Sequence, residues 1–103
     1  MSGIDGTGTG LSLEHEERLK EPEDYRVVLL NDDYTTMDFV VAVLMTIFQK
    51  SQEDAAGIMR DVHRKGRGIV GSYPWDIAAT KADQVHTMAR KHEYPLRCVV
   101  EKS

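Results

Sequence analysis

Six residues rich in strand formers, Tyr25-Arg26-Val27-Val28-Leu29-Leu30, run into the polar string Asn31-Asp32-Asp33-Tyr34-Thr35, and beyond it Met37, Val40, Val41, Leu44 and Phe48 recur at helical spacing. A continuous apolar run and a 3.6-residue apolar stripe cannot belong to one element. The chain must therefore turn from a strand into a helix within five residues. A turn needs polar residues, but it does not need an amide, two carboxylates, a phenol and a hydroxyl in succession. That surplus of oriented polar groups beside an apolar helix face makes 31–35 the first candidate site.

The rest of the chain is punctuated in the same way. Thr35, with Asp38 three residues on, reads as a capping box opening a helix from Thr36 to about Gln49. Ser51-Gln52-Glu53-Asp54 opens a second helix with Ala55, Ile58, Met59 and Val62 on one face, closed by Gly66. Gly57 inside that helix costs about 1 kcal/mol relative to alanine, so it is expected to mark a close approach of another element. Gly68–Tyr73 reads as a second strand. Pro74 leads into a third helix from Trp75 to about His92, with Ile77, Ala78, Ala82, Val85, Met88 and Ala89 inward. Glu93-Tyr94-Pro95 breaks it, and Leu96–Glu101 forms the last strand, with Leu96, Cys98 and Val100 on one face. The order is βααβαβ in an α+β fold, and its natural packing is a three-stranded antiparallel sheet covered on one face by three helices.

At 103 residues this is enough for one small domain. Residues 1–24 stand apart, with four of the eight glycines, no aromatic residue, and seven acids against two bases, a charge of −5 that leaves +1 on residues 25–103. Such a composition cannot bury enough apolar area to offset its ordering entropy. It is expected to be a flexible acidic extension, with a transient helix over Leu11–Lys20 stopped by Pro22, ahead of a core domain spanning 25–103. The net charge of −4 gives no reason to expect nucleic-acid binding. No apolar stretch approaches the ~20 residues that span a bilayer, and the N-terminus has neither the basic nor the apolar run of a signal peptide. One cysteine excludes an intramolecular disulfide and any multi-thiolate zinc site, which suits a reducing cytoplasm.

The groups able to do chemistry are Asp32, Asp33, His63, His86, His92 and Cys98. Cys98 alternates with Leu96 and Val100, as a buried small hydrophobe would. His86 follows Val85, and His92 ends a helix where the dipole favours cationic side chains; both are expected to face solvent. His63 borders the apolar stripe of its helix. Asp32 and Asp33 lack a companion nucleophile, and no phosphate loop, serine elbow or HExxH string is present. The residues fit a binding cavity better than an active site. Met37, Val40, Met59 and Val62 supply apolar walls, and Asn31, Asp32 and His63 a hydrogen-bonding mouth. Acceptors at that mouth suit a cationic ligand end such as an amine. No cofactor and no metal are expected.

The run Val28-Leu29-Leu30-Asn31-Asp32-Asp33-Tyr34-Thr35-Thr36-Met37-Asp38-Phe39-Val40-Val41 resembles the signature of ClpS, the adaptor of the bacterial N-degron pathway. The resemblance continues through Met59, Val62-His63 and Gly66, Gly71, Thr80-Lys81, and Tyr94-Pro95-Leu96 with Cys98, Val100, Glu101 and Lys102, and so covers residues 25–102. It implies a non-enzymatic, cytoplasmic adaptor that binds substrates beginning with Phe, Tyr, Trp or Leu. Such an adaptor delivers them to a Clp AAA+ unfoldase, usually ClpA, paired with the ClpP peptidase.

Carried over by position, the resemblance implies that Asn31, Asp32 and His63 hold the α-amino group and first peptide unit. Thr35, Met37, Val40, Met59, Val62 and Leu96 would line or border the side-chain pocket, with Met37 as a gate against β-branched first residues. Tyr34, Asp76 and Lys81 match positions that dock the N-terminal domain of the unfoldase, and the N-terminal extension would help hand the substrate over. Within the turn, Asp33 is left to hold the backbone. Thr36 stands where the family usually has proline, Asp76 where glutamate is common, and Pro74 and Trp75 are unusual. Two further readings stay open. One is a binding module of the same element order, as in the C-terminal domain of the ribosomal stalk protein, that uses a different surface. The other is a metal-dependent hydrolase built on Asp32, Asp33 and His63.

Overall fold

A computed structural model describes residues 24–103. The expected extension over 1–24, with its helix at 11–20, therefore lies outside the described residues except for Asp24. The elements are β1 (Asp24–Leu30), α1 (Met37–Thr46), α2 (Gln52–Lys65), β2 (Arg67–Pro74), α3 (Trp75–Lys91) and β3 (Arg97–Lys102). This is the expected βααβαβ order, and the strands form one antiparallel sheet in the order β2-β1-β3. β1, the most apolar strand, is central, and Val27, Val28 and Leu29 are fully buried.

Side-chain alternation divides the sheet into two faces. Val27 and Leu29 join the core with Val40, Val43, Leu44, Val62, Val70, Ala78, Val85, Ala89, Leu96 and Cys98. Val28 points the other way and takes no part in that cluster; its register partners are Ile69 and Val99. The ladder slips one residue between Val27 and Val28, which leaves Val70 as the extra residue of a β-bulge.

Helix boundaries depart from expectation where side chains compete for the backbone. The cap of α1 is Thr36, not Thr35: Phe39 N–H donates to Thr36 Oγ1 at 3.1 Å. Thr35 is already committed to Asp32, so the helix starts one residue later. α1 also ends at Thr46 rather than near Gln49. Gln49 adopts φ 53°, Lys50 N–H reaches back to Leu44 O at 3.1 Å, and Lys81 Nζ donates to Ile47 O at 2.9 Å. Together these close the helix in the manner of a left-handed C-cap. α2 has the expected ends, Ser51 accepting from Asp54 N–H and Gly66 at φ 87°.

Three side-chain placements differ. Ile77 is exposed, because it lies to the side of the stripe of Ala78, Ala82, Val85 and Ala89 that α3 buries. His86 is half-buried, its Nε2 accepting from Cys98 N–H at 3.0 Å; His92 is exposed as expected, with its ring 5.3 Å from that of Phe39. Gly57 meets no other element, since a Cβ there would find only the Arg60 side chain at 3.7 Å. The close approach is at Gly68, where a Cβ would sit 2.7 Å from Val62 Cγ2 and 3.0 Å from Ile58 O. That contact seats α2 against β2.

Candidate functional site

The turn after β1 is built on Asp32. Its Oδ1 accepts from Tyr34 N–H at 2.8 Å and from Thr35 N–H at 2.7 Å, and its Oδ2 accepts from Thr35 Oγ1 at 2.8 Å. This is an Asx-type turn, in which a short carboxylate replaces backbone acceptors. Partial burial pushes the Asp32 carboxyl up, but the bonds from the Thr35 amide, the Thr35 hydroxyl and the Tyr34 amide outweigh it and hold the group below its ordinary 3.8. Asp33 is exposed and makes no such bond. The turn-holding role expected of Asp33 therefore belongs to Asp32, because only Asp32 lies two and three residues before the amides that need acceptors.

The far side of the site comes from the end of α2. Asn31 N–H donates to Gly66 O at 2.9 Å, which pins the start of the turn to the cap of α2. His63 is three residues before that cap, exposed, while its neighbour Val62 is buried in the core. Between turn and helix lies an open cavity of about 440 Å³, lined by Asn31, Asp32, Asp33, Tyr34, Thr35, Thr36, Met37, Val40, Met59, Val62 and His63. Its size falls within the usual range of small-ligand pockets. Polar groups cluster on the turn and at His63, and apolar ones on the facing walls of α1 and α2. Met37, the first residue of α1, stands on the rim and is 46% exposed.

Of the residues singled out from sequence, Asn31, Asp32, His63, Thr35, Met37, Val40, Met59 and Val62 converge on this one cavity. Leu96 does not line it and is buried in the core just ahead of β3. Thr36 lines it unforeseen, as the residue that caps α1. Tyr34 lies on the cavity edge, 77% exposed. Asp76 and Lys81 line a separate shallow groove on α3 with Ile77, Thr80 and Gln84. Lys81 is also structural: besides its bond to Ile47 O, its ammonium sits 5.6 Å from the Phe48 ring centre and 5.8 Å from that of Tyr73. Trp75 packs edge-on against Tyr25, ring centres 5.3 Å apart, and remains largely exposed. Among the described residues no three His, Cys, Asp or Glu side chains are placed to hold a metal ion, and no helix is long and apolar enough to cross a membrane.

The sequence model of the family described as ATP-dependent Clp protease adaptor protein ClpS matches residues 20–99. The chain belongs to the ClpS family. Among curated relatives, the ATP-dependent Clp protease adapter protein ClpS of Syntrophus aciditrophicus is 59% identical over 92 residues, covering 89% of this chain and 86% of the relative. That of Hyphomonas neptunium is 52% identical over 98 residues, 95% of this chain and 83% of the relative. Among solved structures, Agrobacterium tumefaciens ClpS2 bound to L-phenylalaninamide superposes with a TM-score of 0.78 at 36% identity, covering 81% of this chain and all of the other. This is an adaptor family of the Clp protease, and its fold is the α+β sheet with three helices described above.

Proposed function

We propose that this ClpS-family chain uses the cavity between the 31–36 turn, the start of α1 and the end of α2 to hold the first residue of a protein whose N-terminal residue is Phe, Tyr, Trp or Leu. It would then present that protein to a ClpA-type unfoldase. The observation that carries the reading is the division of the cavity into a polar mouth of Asn31, Asp32 and His63 and apolar walls of Met37, Val40, Met59 and Val62. An N-terminal residue of this kind has the same two parts, a cationic amine and a large apolar side chain. The ligand of the Agrobacterium relative, L-phenylalaninamide, combines a free α-amine, a benzyl group and an amide.

The physical chemistry is favourable on both halves. A free α-amine has a pKa of about 7.7–8.0 and is mostly cationic near neutrality. Asp32, held below its ordinary pKa, is an anion throughout that range. Burying a Leu or Phe side chain contributes roughly 1.5–3 kcal/mol, and each hydrogen bond to a charged group roughly 1.5–3 kcal/mol. Less the cost of association, this leads to affinity on the order of micromolar. Met37 on the rim would act as a gate that disfavours β-branched side chains, and Leu96, in the core, would border the pocket without lining it. Tyr34, Asp76 and Lys81 would form the edge that docks the N-terminal domain of the unfoldase, with residues 1–24 as an extension ahead of the 25–103 core, in the cytoplasm.

Fluorescence anisotropy with peptides that differ only in their first residue tests the proposal. Phe-, Tyr-, Trp- and Leu-initiated peptides should bind, and N-acetylation should abolish binding. Equal affinity for free and acetylated peptides would overturn the proposal.

A further inference from the structure

All three helices pack on one face of the sheet, and the other face carries a charge pattern of its own. By register, Arg67 and Ile69 of β2, Arg26, Val28 and Leu30 of β1, and Arg97, Val99 and Glu101 of β3 point to that open face. Its centre is apolar, with Ile69 52% exposed beside Val28. Its acids are Asp24, at the edge, and Glu101, which is taken up by Arg67, whose Nη2 donates to it at 2.7 Å across the central strand. Arg26 and Arg97 have no carboxylate partner among the described residues. The face therefore offers an apolar strip with Arg26, opposite Glu101 in the ladder, towards one end and Arg97, with no acid opposite it, at the other, and it is separate from the cavity.

We infer that this face docks the chain's own acidic N-terminal segment, residues 11–23. The segment joins β1 at Asp24, on the edge of that face, and Leu11-Ser12-Leu13-Glu14-His15-Glu16-Glu17-Arg18-Leu19-Lys20-Glu21-Pro22-Glu23 carries five glutamates and three leucines. Charge and apolarity both complement the face. Arg26 lies ~7 Å along β1 from Asp24 and the Leu30–Arg97 pair ~20 Å along it. Glu14, Glu16 and Glu17, seven to ten residues before Asp24, can reach up to about 23–36 Å when the chain is extended, long enough to cross the face. Exposed ion pairs are individually weak, but a short tether holds the segment at a millimolar effective concentration, which suits a loose, salt-sensitive contact that a partner can displace. Docking parks the segment away from the cavity and leaves N-terminal residue binding unaffected, so the inference does not depend on the proposed function.

Paramagnetic NMR on the full chain with Ser12→Cys carrying a nitroxide tests it. Cys98 is buried, with its thiol pushed up to about 12, so labelling is confined to the new thiol. The amides of Ile69, Val99 and Arg97 should lose intensity while those of Glu53 and Asp54 on α2 do not. The loss should disappear at 1 M salt, where screening shortens to ~3 Å, and in the same labelled chain carrying Arg97→Glu. Uniform broadening over the domain, or broadening centred on the helices, overturns the inference. So does broadening that appears only in a mixture of labelled chain with unlabelled reporter chain, which would assign the face to a second copy. Anisotropy of a Phe-initiated peptide is expected to be the same for Arg97→Glu and the parent.

Discussion

Thr35 gives Asp32 both its amide, at 2.7 Å, and its hydroxyl, at 2.8 Å. One carboxylate thus holds the turn and also lines the cavity, and variants separate the turn from the proposed binding. Asp32→Ala removes all three bonds and is expected to cost about 1–2 kcal/mol of stability, since hydrogen bonds to charged groups are worth roughly 1.5–3 kcal/mol and this one is half exposed. Asn31→Ala and His63→Ala remove exposed side chains with no such duty and should shift stability by less than about 0.5 kcal/mol. All three should weaken binding of a Phe-initiated peptide. Urea denaturation beside anisotropy checks the split; unchanged stability in Asp32→Ala would mean the turn forms without it.

The same bonds set a pH dependence. They lower the Asp32 pKa from its ordinary 3.8, so the unfolded chain binds the proton first as pH falls, and stability rises with pH across that window. The contribution is complete above pH 3.8 and is lost as pH drops through the lower folded value. Asp32→Asn cannot titrate. The stability gap between the parent and Asp32→Asn should be constant above about pH 5 and narrow below pH 3.8, measured by urea denaturation across that range. A gap that widened in acid would reverse the assignment.

The element order and most of the cavity were legible because they rest on periodicity and on local punctuation. Val27, Leu29, Leu44 and Val62 announce a core, and Ser51 and Gly66 announce the ends of α2. The misreadings come from competition over short distances. Thr35 and Thr36 are equally good caps in sequence, and only Asp32, reaching three residues ahead, removes the first from contention. Asp-x-x-Thr was a readable signal for that. Gly57 and Gly68 look alike as letters, but the crowded one is set by how closely α2 sits on β2. Lys81 reads as a surface cation until α1 ends beside it.

That contrast between glycines is measurable. Gly68→Ala would place a Cβ 2.7 Å from Val62 Cγ2, with the Ile58 carbonyl at 3.0 Å leaving no room to yield. Overpacking of this kind costs about 1–3 kcal/mol. Because Val62 and His63 line the cavity, peptide affinity should fall with stability. Gly57→Ala meets only the Arg60 side chain, at an ordinary contact distance of 3.7 Å, in a helix interior and should stabilise by about 0.4–1 kcal/mol with affinity unchanged. Thermal melts with parallel anisotropy check both.

Lys81 closes α1 through Ile47 O at 2.9 Å and lies over Phe48 and Tyr73. Lys81→Ala removes a charged hydrogen bond and a stem that packs on two rings, at an expected cost of about 1–2 kcal/mol. Lys81→Met keeps the stem and should recover part of it. Tyr34→Ala, at a site 77% exposed, should leave stability within about 0.5 kcal/mol. If the unfoldase docks on these residues, Tyr34→Ala weakens complex formation without touching the fold, whereas Lys81→Ala affects both. Chemical denaturation and pull-down with an isolated unfoldase N-terminal domain distinguish the two.

His86 protects the outer edge of β3. Cys98 lies opposite Leu29 in the β1–β3 ladder, yet its N–H points away from β1 and is received by His86 Nε2 at 3.0 Å. An unpaired N–H on an edge strand is a liability for strand-to-strand association, and a partly buried one costs about 1–3 kcal/mol when its acceptor is removed. His86→Ala should therefore destabilise by about 1 kcal/mol and speed hydrogen exchange at the Cys98 amide, while the Val99 amide, which faces β1, exchanges as before. Exchange that accelerates equally at both amides would mean that α3 has come away from the strand, and that His86 holds the helix rather than the edge.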